Sequence, residues 1–239
     1  MKTISEWLNQ PDIKEIKNQP PRKLLRDSLN RDPHRPIYYD PDYFLSPADG
    51  VILYANIVKP NEKVIEVKGE NYTVESLVRE EVEEPCIVIG IFMSCLDVHI
   101  NRMPTDGFIR YTPLDSLKVM NLSMRSIENA ILDEMGIDNN YLNYALYNER
   151  VRNKILCPIL KQEYYIMQIA DFEVDVIAHF AKYNEFYTQG ERFAVVRLGS
   201  QVDLIIPMIN KKVKYHFLGK VHYHVGAGID RLIRIERTG

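Results

Sequence analysis

The chain is short of the features that usually give a protein away. Cysteine occurs three times in 239 residues, as Cys86, Cys95 and Cys157. No two form a CxxC pair and the count is odd, which disfavours zinc ribbons, thioredoxin-like redox chemistry and a disulfide framework. Small core cysteines in a reducing compartment are expected instead. Long apolar runs are absent too: the longest, Cys86 to Leu96, has eleven residues and contains Gly90 and Ser94, well short of the ~18–20 that span a bilayer. Met1–Gln10 has neither an apolar h-region nor a small-residue cleavage site, so secretion is not signalled. Charge of one sign is missing, since 30 Lys plus Arg stand against 33 Asp plus Glu, and no nucleic-acid partner is expected. There is no G-x-S-x-G elbow and no HExxH. Only eleven residues follow Gly226-Ala227-Gly228, too few for a dinucleotide-binding βαβ unit. His222 and His224 flank Tyr223 and are expected to share a strand face, but without a nearby acidic ligand they read as structural histidines, and no metal is expected.

What remains is an ordinary globular composition, 46% apolar and 26% charged, in a chain of 27.9 kDa. Its length suits one large domain or two small ones. Residues 1–45 read as a basic, proline-interrupted arm, with short helical pieces at Ile4–Asn9 and Arg22–Leu29. Between Ile13 and Pro36 seven Lys/Arg oppose three acids, and between 211 and 239 seven oppose two. Each patch is either a solvated face or a contact for an anionic membrane.

Residues 46–239 read as the main domain. Val51–Val58, Lys63–Val67, Cys86–Phe92, Gly107–Tyr111, Tyr164–Ile169, Arg192–Leu198 and Val202–Ile206 have the texture of strands. Cys86–Phe92, apolar throughout, is expected to be central. Helices are expected at Thr73–Glu84 and Ser116–Met135, the second ending at Gly136. The fold class expected is α+β: a mostly antiparallel β-sheet core with a few helices packed on one side.

Polarity concentrates where a core strand ends, in Phe92-Met93-Ser94-Cys95-Leu96-Asp97-Val98-His99-Ile100-Asn101-Arg102-Met103-Pro104. Such a cluster is more often placed for a site than for packing. On an extended segment Asp97 and His99 share a face, and a carboxylate beside an imidazole suits general-base work. The bland alternative is a turn whose polar groups cap the backbone. Gly199-Ser200 closes another strand-like stretch; a serine after an unhindered glycine carbonyl can attack it if a base takes its proton. Taken singly, the dipeptide means a turn.

Ser46-Pro47-Ala48-Asp49-Gly50, Val67–Thr73, Phe92–Pro104, Asn148-Glu149-Arg150 and Gly190–Pro207 together resemble, in order, the motifs of phosphatidylserine decarboxylases, most of all the short, archaetidylserine decarboxylase-like type. The resemblance covers about residues 45–207. It implies that fold and a proenzyme that cuts itself at Gly199–Ser200 into a β chain, 1–199, and an α chain, 200–239. The cofactor implied is pyruvate, a covalent pyruvoyl group made from Ser200, which forms a Schiff base with the substrate amine and takes up the electrons left by carbon dioxide. Asp49 and His99 occupy the positions of the family's charge relay. His99 is also the expected proton donor to the substrate carbon, Asp97 is expected to orient it, and Asn101 and Arg102 to contact substrate. The function implied is conversion of phosphatidylserine, or a related serine phospholipid, to phosphatidylethanolamine. The protein is expected to be cytoplasmic, peripheral on the inner face of a membrane with an anionic surface, and to form a homo-oligomer.

Two departures stand out. Where the family reads Q-I-A-G-x-x-A-R-R-I, this chain reads Gln168-Ile169-Ala170-Asp171-Phe172-Glu173-Val174-Asp175-Val176-Ile177, with both arginines lost and Asp171, Glu173 and Asp175 expected on one strand face. Thr112–Asn143 does not match the family's usual run. Two alternatives stay open: a decarboxylase of free amino acids, or a non-cleaving pseudoenzyme that serves as a scaffold.

Overall fold

The computed structural model describes residues 1–20, 23–24, 31–65, 67, 72–117, 120–172, 177–196 and 199–237. The strands among them are β1 (Lys2–Thr3), β2 (Tyr43–Leu45), β3 (Gly50–Val58), β4 (Cys86–Met93), β5 (Ile100–Arg102), β6 (Gly107–Leu114), β7 (Arg150–Cys157) and β8 (Gln162–Ala170). There follow β9 (Ile177–His179), β10 (Glu185–Tyr187), β11 (Arg192–Val196), β12 (Ser200–Pro207), β13 (Val213–Phe217), β14 (Tyr223–Val225) and β15 (Arg231–Arg237). One nine-stranded antiparallel sheet runs β1-β14-β3-β4-β12-β8-β7-β6-β10; two three-stranded sheets, β5-β11-β9 and β13-β15-β2, accompany it. The α+β class with an antiparallel core is therefore the observed one.

The centre of the large sheet, β4 and β12, is buried on both faces, which explains why β4 is apolar at every position. Ile87, Ile89, Ile91 and Met93 face a cluster shared with Val202, Leu204, Ile206 and the β15 residues Leu232 and Ile233. Val88 and Phe92 face the other cluster, which is covered by helices and takes in Trp7, Leu77 and Ile127. The arm joins this second core: Thr3 caps the helix Ile4–Leu8 in a reciprocal box with Glu6, and β1 pairs with β14.

Several expected elements change under tertiary contacts. Lys63–Val67 is no strand among the described residues; Lys63 makes a single bridge to Thr73. The helix expected at Thr73–Glu84 is only Val74–Val78, ended by a left-handed Arg79. Glu80, the next residue, is held by Arg152 and Lys154 of β7. In place of Ser116–Met135 the helix is Arg125–Leu132. Upstream of it the backbone donors find tertiary acceptors rather than the carbonyl four residues back: Leu122 N–H donates to Asn148 Oδ1 and Met124 N–H to Asp171 Oδ1. Arg22–Leu29, Lys68–Asn71, Glu173–Val176 and Arg197–Leu198 fall in whole or part outside the described residues.

Candidate active site

Three of the motif segments, together with Gln168 of β8, converge at one end of the central strands. Arg102 N–H donates to the Pro47 carbonyl at 2.9 Å and Met103 N–H to Glu191 at 2.8 Å. Gln168 Nε2 donates to Asn101 Oδ1 at 2.6 Å. Gly50 lies where no other residue fits: its φ is +150°, and a Cβ there would fall 2.1 Å from the Phe92 carbonyl oxygen.

Ser200 opens β12, in register with Met93 of β4 and Ala170 of β8. It is fully buried, and its hydroxyl donates to Met93 Sδ at 3.3 Å. Gly199 before it has φ +46°, a left-handed backbone that a side chain resists. A Cβ on Gly199 would fall 2.8 Å from Asp171 Oδ2. Asp171 itself sits beyond the end of β8, with Oδ1 accepting from the Met124 and Phe172 N–H groups. The departure from the family pattern thus places a carboxylate beside the candidate cleavage point, not on a strand face.

His99 is also fully buried. Its Nε2 lies 2.9 Å from the Ser94 carbonyl oxygen and its Nδ1 2.9 Å from that of Val196. Val196 N–H in turn donates to the His99 carbonyl at 3.1 Å. The ring therefore bridges the residue after Met93 and the strand that leads into Gly199. A neutral imidazole has one N–H and satisfies one of these carbonyls; a protonated one satisfies both.

The expected pairing of Asp97 with His99 is not made. Residues 95–97 form a turn rather than an extended segment, so period-two alternation does not apply. Asp97 accepts instead from Ser94 N–H and Oγ–H, each at 2.8 Å, and its other oxygen lies 2.7 Å from His224 Nε2. Burial alone would raise this carboxyl, but the charge and hydrogen bond of His224, with those from Ser94, hold it below its usual range. His222 lies in the turn before β14 with φ +64°, so the two histidines do not share a strand face.

Asp49 is likewise engaged elsewhere. Arg35 grips both its oxygens, at 2.5 and 2.6 Å, and Ala227 N–H donates to it at 2.7 Å. Arg102 donates to the Gly190 carbonyl at 2.9 Å; its other nitrogen lies 3.6 Å from Asp32, which also pairs with Arg192 at 2.6 Å. Burial, then repulsion from Arg35 and Arg192, lowers the Arg102 pKa. Beside this network opens a cleft of about 510 Å³, whose walls include Trp7, Arg31, Arg35, Asp49, Asp97 and His224.

Sequence reasoning missed Arg35, Trp7 and His224 as neighbours of the site. Arg35 and Trp7 stand in the arm and His224 beyond the last family-like motif, so no local pattern marked them. Asp171 was visible as a departure, but its proximity to Gly199 was not.

Position 200 fits a group made from the chain itself. The serine is enclosed between Met93 and Ala170 and preceded by a residue without a side chain.

Residues 29–228 match the family described as phosphatidylserine decarboxylase. A phosphatidylserine decarboxylase proenzyme of Chlorobium phaeobacteroides is 30% identical over 182 residues, 74% of this chain and 66% of that protein, just under two thirds of its length. A protein of Methanocaldococcus jannaschii, provisionally named archaetidylserine decarboxylase proenzyme, is 31% identical over 211 residues, 87% of this chain and 88% of its own. A protein of Methanothermobacter thermautotrophicus with the same provisional name is 30% identical over 177 residues, covering 74% and 68%.

Proposed function

The chain belongs to the phosphatidylserine decarboxylase family, a family of decarboxylating lyases, and from that premise we propose that it is a self-processing proenzyme acting on a serine phospholipid. The observation that carries the reading is the buried Gly199–Ser200 step, with a left-handed glycine: Ser200 pairs with Met93, next to the Ser94 carbonyl that His99 faces, and Val196, whose carbonyl His99 also faces, lies three residues before Gly199.

In the proposed processing, Ser200 Oγ adds to the Gly199 carbonyl and the peptide C–N bond breaks, giving an ester and the free amine of residue 200. Loss of the Ser200 α-proton expels the Gly199 carboxylate, which ends the β chain. The dehydroalanine left at position 200 takes up water and loses ammonia, so the α chain begins with a pyruvoyl group. That ketone supplies an electron sink for decarboxylation of an amine-bearing substrate. His99 takes the hydroxyl proton and later returns one to the substrate carbon, roles worth ~10²–10⁴ in rate. Asp49, locked to Arg35 and the Ala227 amide, fixes the arm and the 226–228 turn beside the site. Asp97 acts on His99 through Ser94, and Asn101 and Arg102 of β5 are the proposed contacts for the headgroup. The carboxylate of Asp171 beside Gly199 favours an ammonium group there over a second anion.

One observation favours a non-cleaving scaffold: Ser200 Oγ contacts Met93 Sδ and, among the described residues, makes no hydrogen bond to a base. Nucleophile–base contacts are often loose before a reaction geometry is reached, so this is the second reading. Denaturing intact-mass spectrometry of the wild type beside Ser200→Ala separates the two. The expected α chain has 40 residues, by length roughly 4.7 of the 27.9 kDa, is blocked at its N-terminus, and is absent from the variant. A single uncut species in both supports the scaffold. Release of carbon dioxide from phosphatidylserine vesicles, set against free amino acids, then identifies the substrate.

A further inference from the structure

Ser94 is the hub of a buried hydrogen-bond chain. Its N–H and hydroxyl donate to Asp97 Oδ2, while its carbonyl accepts the Asp97 N–H at 3.0 Å and faces His99 Nε2 at 2.9 Å. Beyond Asp97 the chain ends on His224 Nε2 at 2.7 Å. Ser94, Asp97 and His99 are each at most 2% exposed, so losing a partner leaves a buried polar group that costs free energy until it is satisfied again. His224 is fixed from its other side by Trp7, whose ring stacks on it at 4.4 Å and 11°. Lys2 is its register partner on β1, and Arg31, Arg35, Asp12, Asp49 and Asp230 line the same cleft.

We propose that His224 is a positioning residue for His99, acting through Asp97 and the Ser94 carbonyl. Without the His224 donor, the buried Asp97 carboxylate must take up a proton or turn away. The Ser94 donors then lose their acceptor, and the carbonyl that holds the imidazole shifts. His224 follows the Gly199–Ser200 step and Asp97 precedes it, so the pair ties the two chains of a processed protein together across the site. The consequence for self-cleavage rests on the proenzyme reading; the effect on the His99 ring does not.

The test compares wild type with His224→Gln, which keeps an N–H donor, and His224→Phe, which keeps the stack on Trp7 without one. Two quantities are read: the rate of self-cleavage by intact mass, and the His99 ring ¹⁵N chemical shifts by NMR. The Phe variant is expected to slow cleavage about ten- to a hundredfold, by analogy with the loss of a partner that orients a metal-bound imidazole, and to move the His99 shifts. The Gln variant is expected to leave both near wild type. Unmoved His99 shifts in the Phe variant, or equal losses in the two variants, would overturn the proposal. Should the Phe variant fail to fold, His224→Asn, whose donor is too short to reach, takes its place with the same expectation. A wild type that never cleaves defeats the proenzyme reading, and the ring shifts still decide on His224.

Discussion

Single buried groups carry most of what is testable here, and Asp203 is the clearest. It lies fully buried on β12, where Tyr54 Oη donates to it at 2.8 Å and Gln201 Nε2 at 2.6 Å. Burial outweighs these hydrogen bonds and the Arg150 charge and pushes the carboxyl up to about 7. In the unfolded chain it titrates near ~3.9. The folded protein therefore binds this proton more tightly, a contribution that is fully present below the unfolded value and is lost as pH rises toward 7. The wild-type melting temperature should fall relative to Asp203→Asn between about pH 4 and 7, then run parallel above. Curves parallel throughout would show that Asp203 keeps its ordinary affinity.

At the scale of elements, short segments are fixed by what they touch rather than by their own propensity. The turn carrying Ala48-Asp49-Gly50 enters β3 directly over Phe92, and the missing side chain at Gly50 makes that approach possible. Gly50→Ala is expected to cost about 3 kcal/mol or more, from backbone strain and overpacking together, measured as a shift in the denaturation midpoint at unchanged slope. Asn148 shows the same logic in the other direction. It accepts the Leu122 N–H and donates to the Leu122 and Ala170 carbonyls, so it draws residues 121–124 out of the helix that their apolar spacing predicts.

For the whole molecule, the placement of β12 between β4 and β8 has a direct consequence for a cut at Gly199–Ser200. The 200–239 piece would keep a central strand, β14 against β3 and β15 against β2, so it stays in place without a covalent link. The basic ends are less exposed as charge than their sequence implies: Arg35 pairs with Asp49, Arg231 with Asp40 and Arg237 with Asp42. No helix among the described residues is long and apolar enough to cross a membrane. If the remaining cations hold the protein on a bilayer, at ~1 kcal/mol per well-placed Lys or Arg, it should sediment with anionic vesicles at low salt and be released as salt rises. Equal sedimentation with neutral vesicles would exclude this mode of attachment.

Fold class, the central place of Cys86–Phe92 and the segments that form the site were legible in the sequence, because apolar patterning and dense local motifs are properties of neighbouring residues. The sequence also marked Asp49, Asp97, His99, Gly199 and Ser200 as a set. Which of these touch was decided only by the tertiary structure. Asp97 and His99, two residues apart, diverge because a turn replaces the extended chain. Asp97 meets His224 from 127 positions away, and Asp49 meets Arg35 of the arm. Buried charges take the partners that the packing of distant strands brings within about 3 Å, and that distance is not written in the spacing of residues along the chain.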